Sequence, residues 1–168
     1  MTAAQTLVQE LQQEGQTTRR CLECVPEAKL AWRPHPKSRT LGQLALHVAE
    51  TPSGVVNVAL KDSLDAKSAS FETEQPKSKA QILAALDASL GRASDYLASL
   101  DDKTAMSPWT MKAGSTTLFT VPRIAFLRSI LFNHWYHHRG QLSVYLRLLD
   151  VPLPSVYGPS ADENPFRV

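Results

Sequence analysis

Apolar residues recur along this chain at near-helical spacing in several stretches, separated by proline-rich or polar connections. Leu7, Leu11, Leu22 and Val25 predict a first helix over residues 3–24, which Pro26 ends because a proline cannot continue the backbone ladder. Residues 32–38 hold two prolines in three positions, which predicts an extended loop. Thr40 followed by Gln43 is a capping box, and it opens a second helix whose buried stripe is Leu41, Leu44, Ala45 and Val48. Pro52 should kink that helix and Gly54 should loosen it, with the helix resuming to about Ser63. Residues 65–76 are polar and carry Pro76, as a loop does. Ser78 and Gln81 repeat the capping signal, and Ile82, Leu83, Leu86, Leu90 and Leu97 carry a third helix to about Leu100.

Residues 102–120 form a long connection, and the β-branched run at 115–121 predicts a short extended piece. The longest helix then spans 122–149, with Pro122 suited to its first turn. The proline-rich tail from Asp150 reads as surface coil. No repeat, low-complexity tract or second domain is visible, so the expectation is one all-α domain over residues 1–168, a four-helix bundle. The connections are long enough for up-down-down-up as well as up-down-up-down order, and periodicity does not choose between them.

The bulk properties fit this picture and narrow the function. A chain of 168 residues, 43% hydrophobic and 20% charged, can bury a real core. With a net charge of +2 and no long basic run, nothing forms the stripe that nucleic-acid binding requires. No apolar run approaches the roughly 20 residues that span a bilayer. The polar, amphipathic N-terminus lacks a signal-peptide core, so the expected location is cytosolic. Cys21 and Cys24 have redox-pair spacing, but no second cysteine pair and no βαβ pattern accompany them. They read as structural cysteines within the first helix.

The histidines carry the chemistry. Five are present, His35, His47, His134, His137 and His138, and three of them crowd into one segment of the last helix. At about 100° per residue, Leu127, Leu131, His138, Tyr145 and Leu149 all fall within roughly 60° of His134. His134 and His138 therefore point into the bundle one turn apart, where two imidazoles can share one ion. His137 falls at the stripe's edge. Two inward imidazoles without acidic partners would each leave a polar group unpaired, at about 1–3 kcal/mol, unless a metal satisfies both. His47, near the border of the second helix's stripe, is the best third ligand. Three protein nitrogens with open positions are the pattern of a catalytic rather than a structural metal site. His35, in the proline loop, stands nearer the mouth of such a site.

The run Trp32-x-Pro34-His35-Pro36-Lys37-Ser38, then Leu41-Gly42-Gln43-Leu44-Ala45-x-His47, then His134-x-x-His137-His138-Arg139-Gly140-Gln141-Leu142, resembles the DinB superfamily. The ending 154–163 is similar to many members as well. The resemblance implies an up-down-down-up four-helix bundle, commonly a homodimer, with a three-histidine site for nickel or zinc. Carried over by position, its ligands are His47, His134 and His138. Some relatives are thiol-dependent transferases or isomerases that use low-molecular-weight thiols.

Two functions follow as expectations. One is a metal-dependent hydrolase or thiol-dependent S-transferase, acting on a small molecule. The other is a non-enzymatic metal or small-ligand module. Glu50, Gln141 and Tyr145 are candidate groups around the ligands, and Arg139 reads as an ion-pair or dimer-contact residue.

Overall fold

A computed structural model describes residues 3–70 and 72–167. Helix α1 (Ala3–Glu23) buries Leu7, Leu11 and Leu22, and Val25 is buried just past its end. Cys21 lies in α1, whereas Cys24 occupies the turn that follows it. A 3-10 turn (Glu27–Lys29) leads into the proline segment. That segment is not simply extended: Ser38 N–H donates to His35 O at 2.9 Å, closing a turn around Pro36 and Lys37 ahead of α2.

Helix α2 (Leu41–Ala59) starts with the full capping box, Thr40 and Gln43 each satisfying the other's backbone N–H. Pro52 lies inside it and has no N–H to give to Val48 O, its partner four residues back. The indole of Trp135 supplies the missing donor, at 2.8 Å. The helix ends at Ala59, short of the expected Ser63, because Arg123 takes over its carboxyl end. The Arg123 guanidinium, 4% exposed, donates to Ala59 O and Lys61 O and pairs with Asp62 at 2.6 Å. Helix α3 (Lys79–Ser99) is capped by Ser78, but the box is only half made, since Gln81 Oε1 accepts from Lys77 N–H instead.

The connection after α3 corrects the all-α expectation. A short helix α4 (Asp102–Met106) precedes two strands, β2 (Pro108–Ala113) and β3 (Thr116–Pro122), which pair antiparallel. The turn between them passes through Gly114 at φ 64, a left-handed conformation that glycine adopts without penalty. Strand β1 (Ser63–Asp65) adds to β2 in parallel, giving the order β1-β2-β3. The β-branched run seen in the sequence is β3, and its exposed, half-polar pattern could not announce the two strands that join it. Trp109 of β2 stacks on Phe126 with centroids 3.7 Å apart, fixing the sheet to the end of the bundle. The molecule is thus mostly helical with a small three-stranded sheet.

The last rod has three parts: α5 (Arg123–Phe126), a π-helical stretch (Leu127–Asn133) and α6 (His134–Leu148). A π turn holds more residues than an α turn, so the uniform 100° step fails upstream of His134. Leu127, Leu131 and Phe132 are nonetheless fully buried.

Named contacts place the long helices. Arg19 pairs with Asp87 and Lys79 Nζ donates to Glu23 O, so α1 and α3 run antiparallel. Ser53 N–H donates to Ser89 Oγ and Tyr96 OH to Ala59 O, so α2 and α3 run in the same direction. Trp135 meets Val48 while Tyr145 meets Arg39, so α6 runs antiparallel to α2. Across α1 and α6, the ion pair of Glu14 and Arg139 (2.6 Å) is buried. The tail is coil, as expected, and it is tied down: Asp162 accepts from Leu153 N–H and pairs with Arg147, and Glu163 accepts from Ser155 N–H. Among the described residues, no helix is long and apolar enough to cross a membrane.

Candidate metal centre

Three of the five histidines meet between α2 and α6. His47 lies two turns into α2, next to the buried Val48. His134 is the first residue of α6, and His138 follows one turn later. His47 Nε2 and His134 Nε2 are 3.3 Å apart. The His138 ring packs edge-on against both, with centroids 4.3 Å from His134 and 4.4 Å from His47. One potential ligand atom from each ring lies within 4.8 Å of the others. Two nitrogens bound at about 2.0–2.1 Å to a tetrahedral zinc would be separated by about 3.3 Å, so this spacing fits a shared ion.

Gln141 decides how His138 presents itself. Its Oε1 lies 2.7 Å from His138 Nδ1. An amide oxygen only accepts, so Nδ1 carries the proton and Nε2 is left with a bare lone pair. The positions three apart on α6 put Gln141 within reach of the ring.

The rings are poised to ligate. Burial pushes His47 down to about 3, helped by the positive charge of Arg39 and by the two other histidines. His138 falls to about 4, again mainly by burial, partly opposed by its bond to Gln141. His134 is lowered by burial, His137 and Arg39. All three rings are neutral at pH 7, so no proton competes with a cation for their lone pairs. The group can hold a divalent metal ion.

The other candidates take different places. His137 is exposed, and His35 sits in the exposed loop with Nδ1 accepting from Lys37 N–H at 3.1 Å. Neither belongs to the group of three. Glu50 is exposed, its carboxyl raised by partial desolvation and by Glu74. Tyr145 engages other partners, its OH donating to Arg39 O at 3.4 Å and its ring edge-on to Trp32. Cys21 is a buried free thiol, pushed up to about 11 by its burial, as a structural cysteine would be. Arg139 forms the internal ion pair with Glu14 and also donates to Thr18 Oγ1 at 3.2 Å.

Sequence reasoning missed the link between the two ligand-bearing helices. Trp135, next to His134, bonds to the carbonyl of Val48, next to His47. The signal was present: a proline inside a helix always leaves the carbonyl four residues earlier without its usual donor.

The family model described as the DinB superfamily matches residues 10–142. Among solved structures, a DinB-like protein from Bacillus cereus ATCC 10987 is similar, with a TM-score of 0.67 at 22% identity, covering 89% of this chain and 94% of that one. A DinB-like protein from Bacillus subtilis gives a TM-score of 0.66 at 18% identity, covering 90% of this chain and 97% of that one. At these identities the likeness speaks for the fold. No curated protein matches the sequence.

Proposed function

This chain belongs to the DinB superfamily, and from that premise we propose that it is a single-domain divalent-metal protein whose ion is held by His47, His134 and His138. The observation that carries the reading is the convergence of three neutral imidazoles, two of their Nε2 atoms 3.3 Å apart. Zinc and nickel both suit imidazole donors. When bound, such an ion acts as a Lewis acid that lowers the pKa of water or of a thiol brought to it.

The chain's own part in this reading is to hold three lone pairs unprotonated in a half-buried pocket and to keep a coordination position open. Gln141 fixes the His138 ring. The reaction we assign is hydrolysis or thiol-dependent S-transfer on a small molecule, with Glu50, one turn after His47 on α2, as the candidate to accept a proton. The helix directions given above support an up-down-down-up bundle. A homodimer belongs to the same reading, and light scattering tests it.

The experiment is elemental analysis after exhaustive dialysis, paired with turnover. One equivalent of metal, lost in His134→Ala, is expected, together with thiol- or water-dependent turnover of electrophile and ester panels that His138→Ala abolishes. Metal binding without any turnover would favour a non-enzymatic metal-binding module. Less than roughly half an equivalent, unchanged in His134→Ala, overturns the metal site altogether.

A further inference from the structure

The three ligand rings differ in how far they stand from solvent. His47 and His134 are half-buried, and His138 is only 9% exposed. A divalent ion in water carries a hydration shell, and each protein nitrogen must replace one of those waters. A site set below the surface therefore needs a path by which the ion reaches it. A ligand placed at the outer end of that path eases the exchange, because it takes over one coordination position before the ion leaves bulk water.

His137 stands at that outer end. It is exposed, and its ring lies 5.0 Å from the ring of His138, centroid to centroid, at an interplanar angle of 69°. It also follows His134 by three residues on α6, a spacing that makes the two positions neighbours on the helix surface. Among the described residues its ring nitrogens have no hydrogen-bond partner, whereas His138 Nδ1 is committed to Gln141 and His35 Nδ1 to Lys37 N–H. A neutral imidazole always keeps one nitrogen lone pair for an acceptor or ligand role. His137 nevertheless lies outside the converging group of three, so it is not placed to complete the final shell. The histidines of α6 thus grade from exposed His137 through half-buried His134 to buried His138.

We propose that His137 is the capture ligand of the metal centre: it binds the incoming divalent ion at the surface and hands it to its ring neighbour His138, after which His134 and His47 close around it. The proposal rests on the metal reading given above. His138 is prepared to receive the ion, because Gln141 holds the proton on Nδ1 and leaves Nε2 free. Waters leave one at a time as imidazole nitrogens replace them, and release runs through the same steps in reverse. A residue of this kind alters how fast the ion comes and goes, not where it comes to rest.

The test mixes apoprotein with cobalt(II) in a stopped-flow cell, where the visible absorbance of the bound ion follows association. An EDTA chase then follows release. His137→Ala changes an exposed position and should leave the fold intact. It should slow association and release alike by about tenfold, since one barrier serves both directions, and leave the dissociation constant within about threefold. His137→Cys, which restores a metal-binding side chain, should recover most of both rates. His35→Gln, at the exposed histidine of the proline loop, should change neither. Association as fast in His137→Ala as in the wild type overturns the proposal and leaves the metal site standing. Slower association with an equal loss of affinity also overturns it, because His137 would then support the bound state rather than the passage to it. Failure of the wild-type protein to bind cobalt sinks the metal reading and this one with it.

Discussion

Trp135 Nε1 donates to Val48 O across 2.8 Å, and that carbonyl is the one Pro52 leaves without its helical donor. His47 precedes Val48 in the chain and His134 precedes Trp135, so this bond joins the two helices one residue from each ligand. Trp135→Phe keeps the ring bulk and removes the N–H, stranding a buried carbonyl at a cost of about 1–3 kcal/mol. We expect zinc affinity to fall at least about tenfold, as for other outer-sphere supports. Trp109→Phe is the control. It removes a longer bond, 3.4 Å to Val58 O, three turns along α2 from His47, and should lower the melting temperature while leaving zinc affinity alone. In a Pro52→Ala background, where residue 52 regains an N–H for Val48 O, the penalty of Trp135→Phe should shrink.

Gln141→Leu removes the acceptor that keeps the proton on His138 Nδ1. The ring can then adopt either tautomer and turn more freely. Competition with a chromophoric chelator should show zinc affinity reduced by about 10–100-fold, with little change in the melting temperature of the metal-free protein. Unchanged affinity would mean that Gln141 does not orient the ring.

The histidine cluster also sets a pH dependence for the metal-free protein. His47 and His138 are held down to about 3 and 4 in the fold, against an ordinary value near 6.5 in the unfolded chain. Between those limits the unfolded chain binds protons that the folded chain does not, so stability rises with pH across that window. Denaturant midpoints of the apoprotein should therefore drop as pH falls from about 6.5 toward 4. His47→Asn should flatten that slope. A slope of equal steepness in the variant would place the effect elsewhere.

The ion pair of Arg139 with Glu14 is buried on both sides, with side chains 3% and 9% exposed. Removing one partner strands a charge, which typically costs about 3–5 kcal/mol. Glu14→Leu should destabilise by about that amount in urea unfolding, and the double change Glu14→Leu with Arg139→Met should recover much of the loss. Because Tyr157 OH donates to Glu14 Oε2 at 3.0 Å, the single variant should also speed proteolysis of the tail.

The long helices were legible because each carries its own start signal and stripe. Thr40 with Gln43 marks the first turn of α2 to the residue. His47, His134 and His138 were legible because spacing of four on one helix puts two rings on one face, and a third inward histidine stood opposite. The sheet was hidden because β1 has only three residues and the outer strand β3 has no buried face to impose alternation. The π-helical stretch was hidden for a different reason: its hydrogen bonding is set by tertiary packing, and Leu127, Leu131 and Phe132 look the same in the sequence whichever turn they adopt.

The wide turns at Leu127–Asn133 amount to a chain slightly longer than an ordinary helix would need to cover the same rise. Deleting one residue there would let the rod relax into a regular spiral with every backbone bond intact. It would also swing the Trp109–Phe126 stack and the Arg123 anchor around the axis relative to His134. The surplus residue is thus a spacer between two fixed attachments, one to the hairpin and one to the seam with α2.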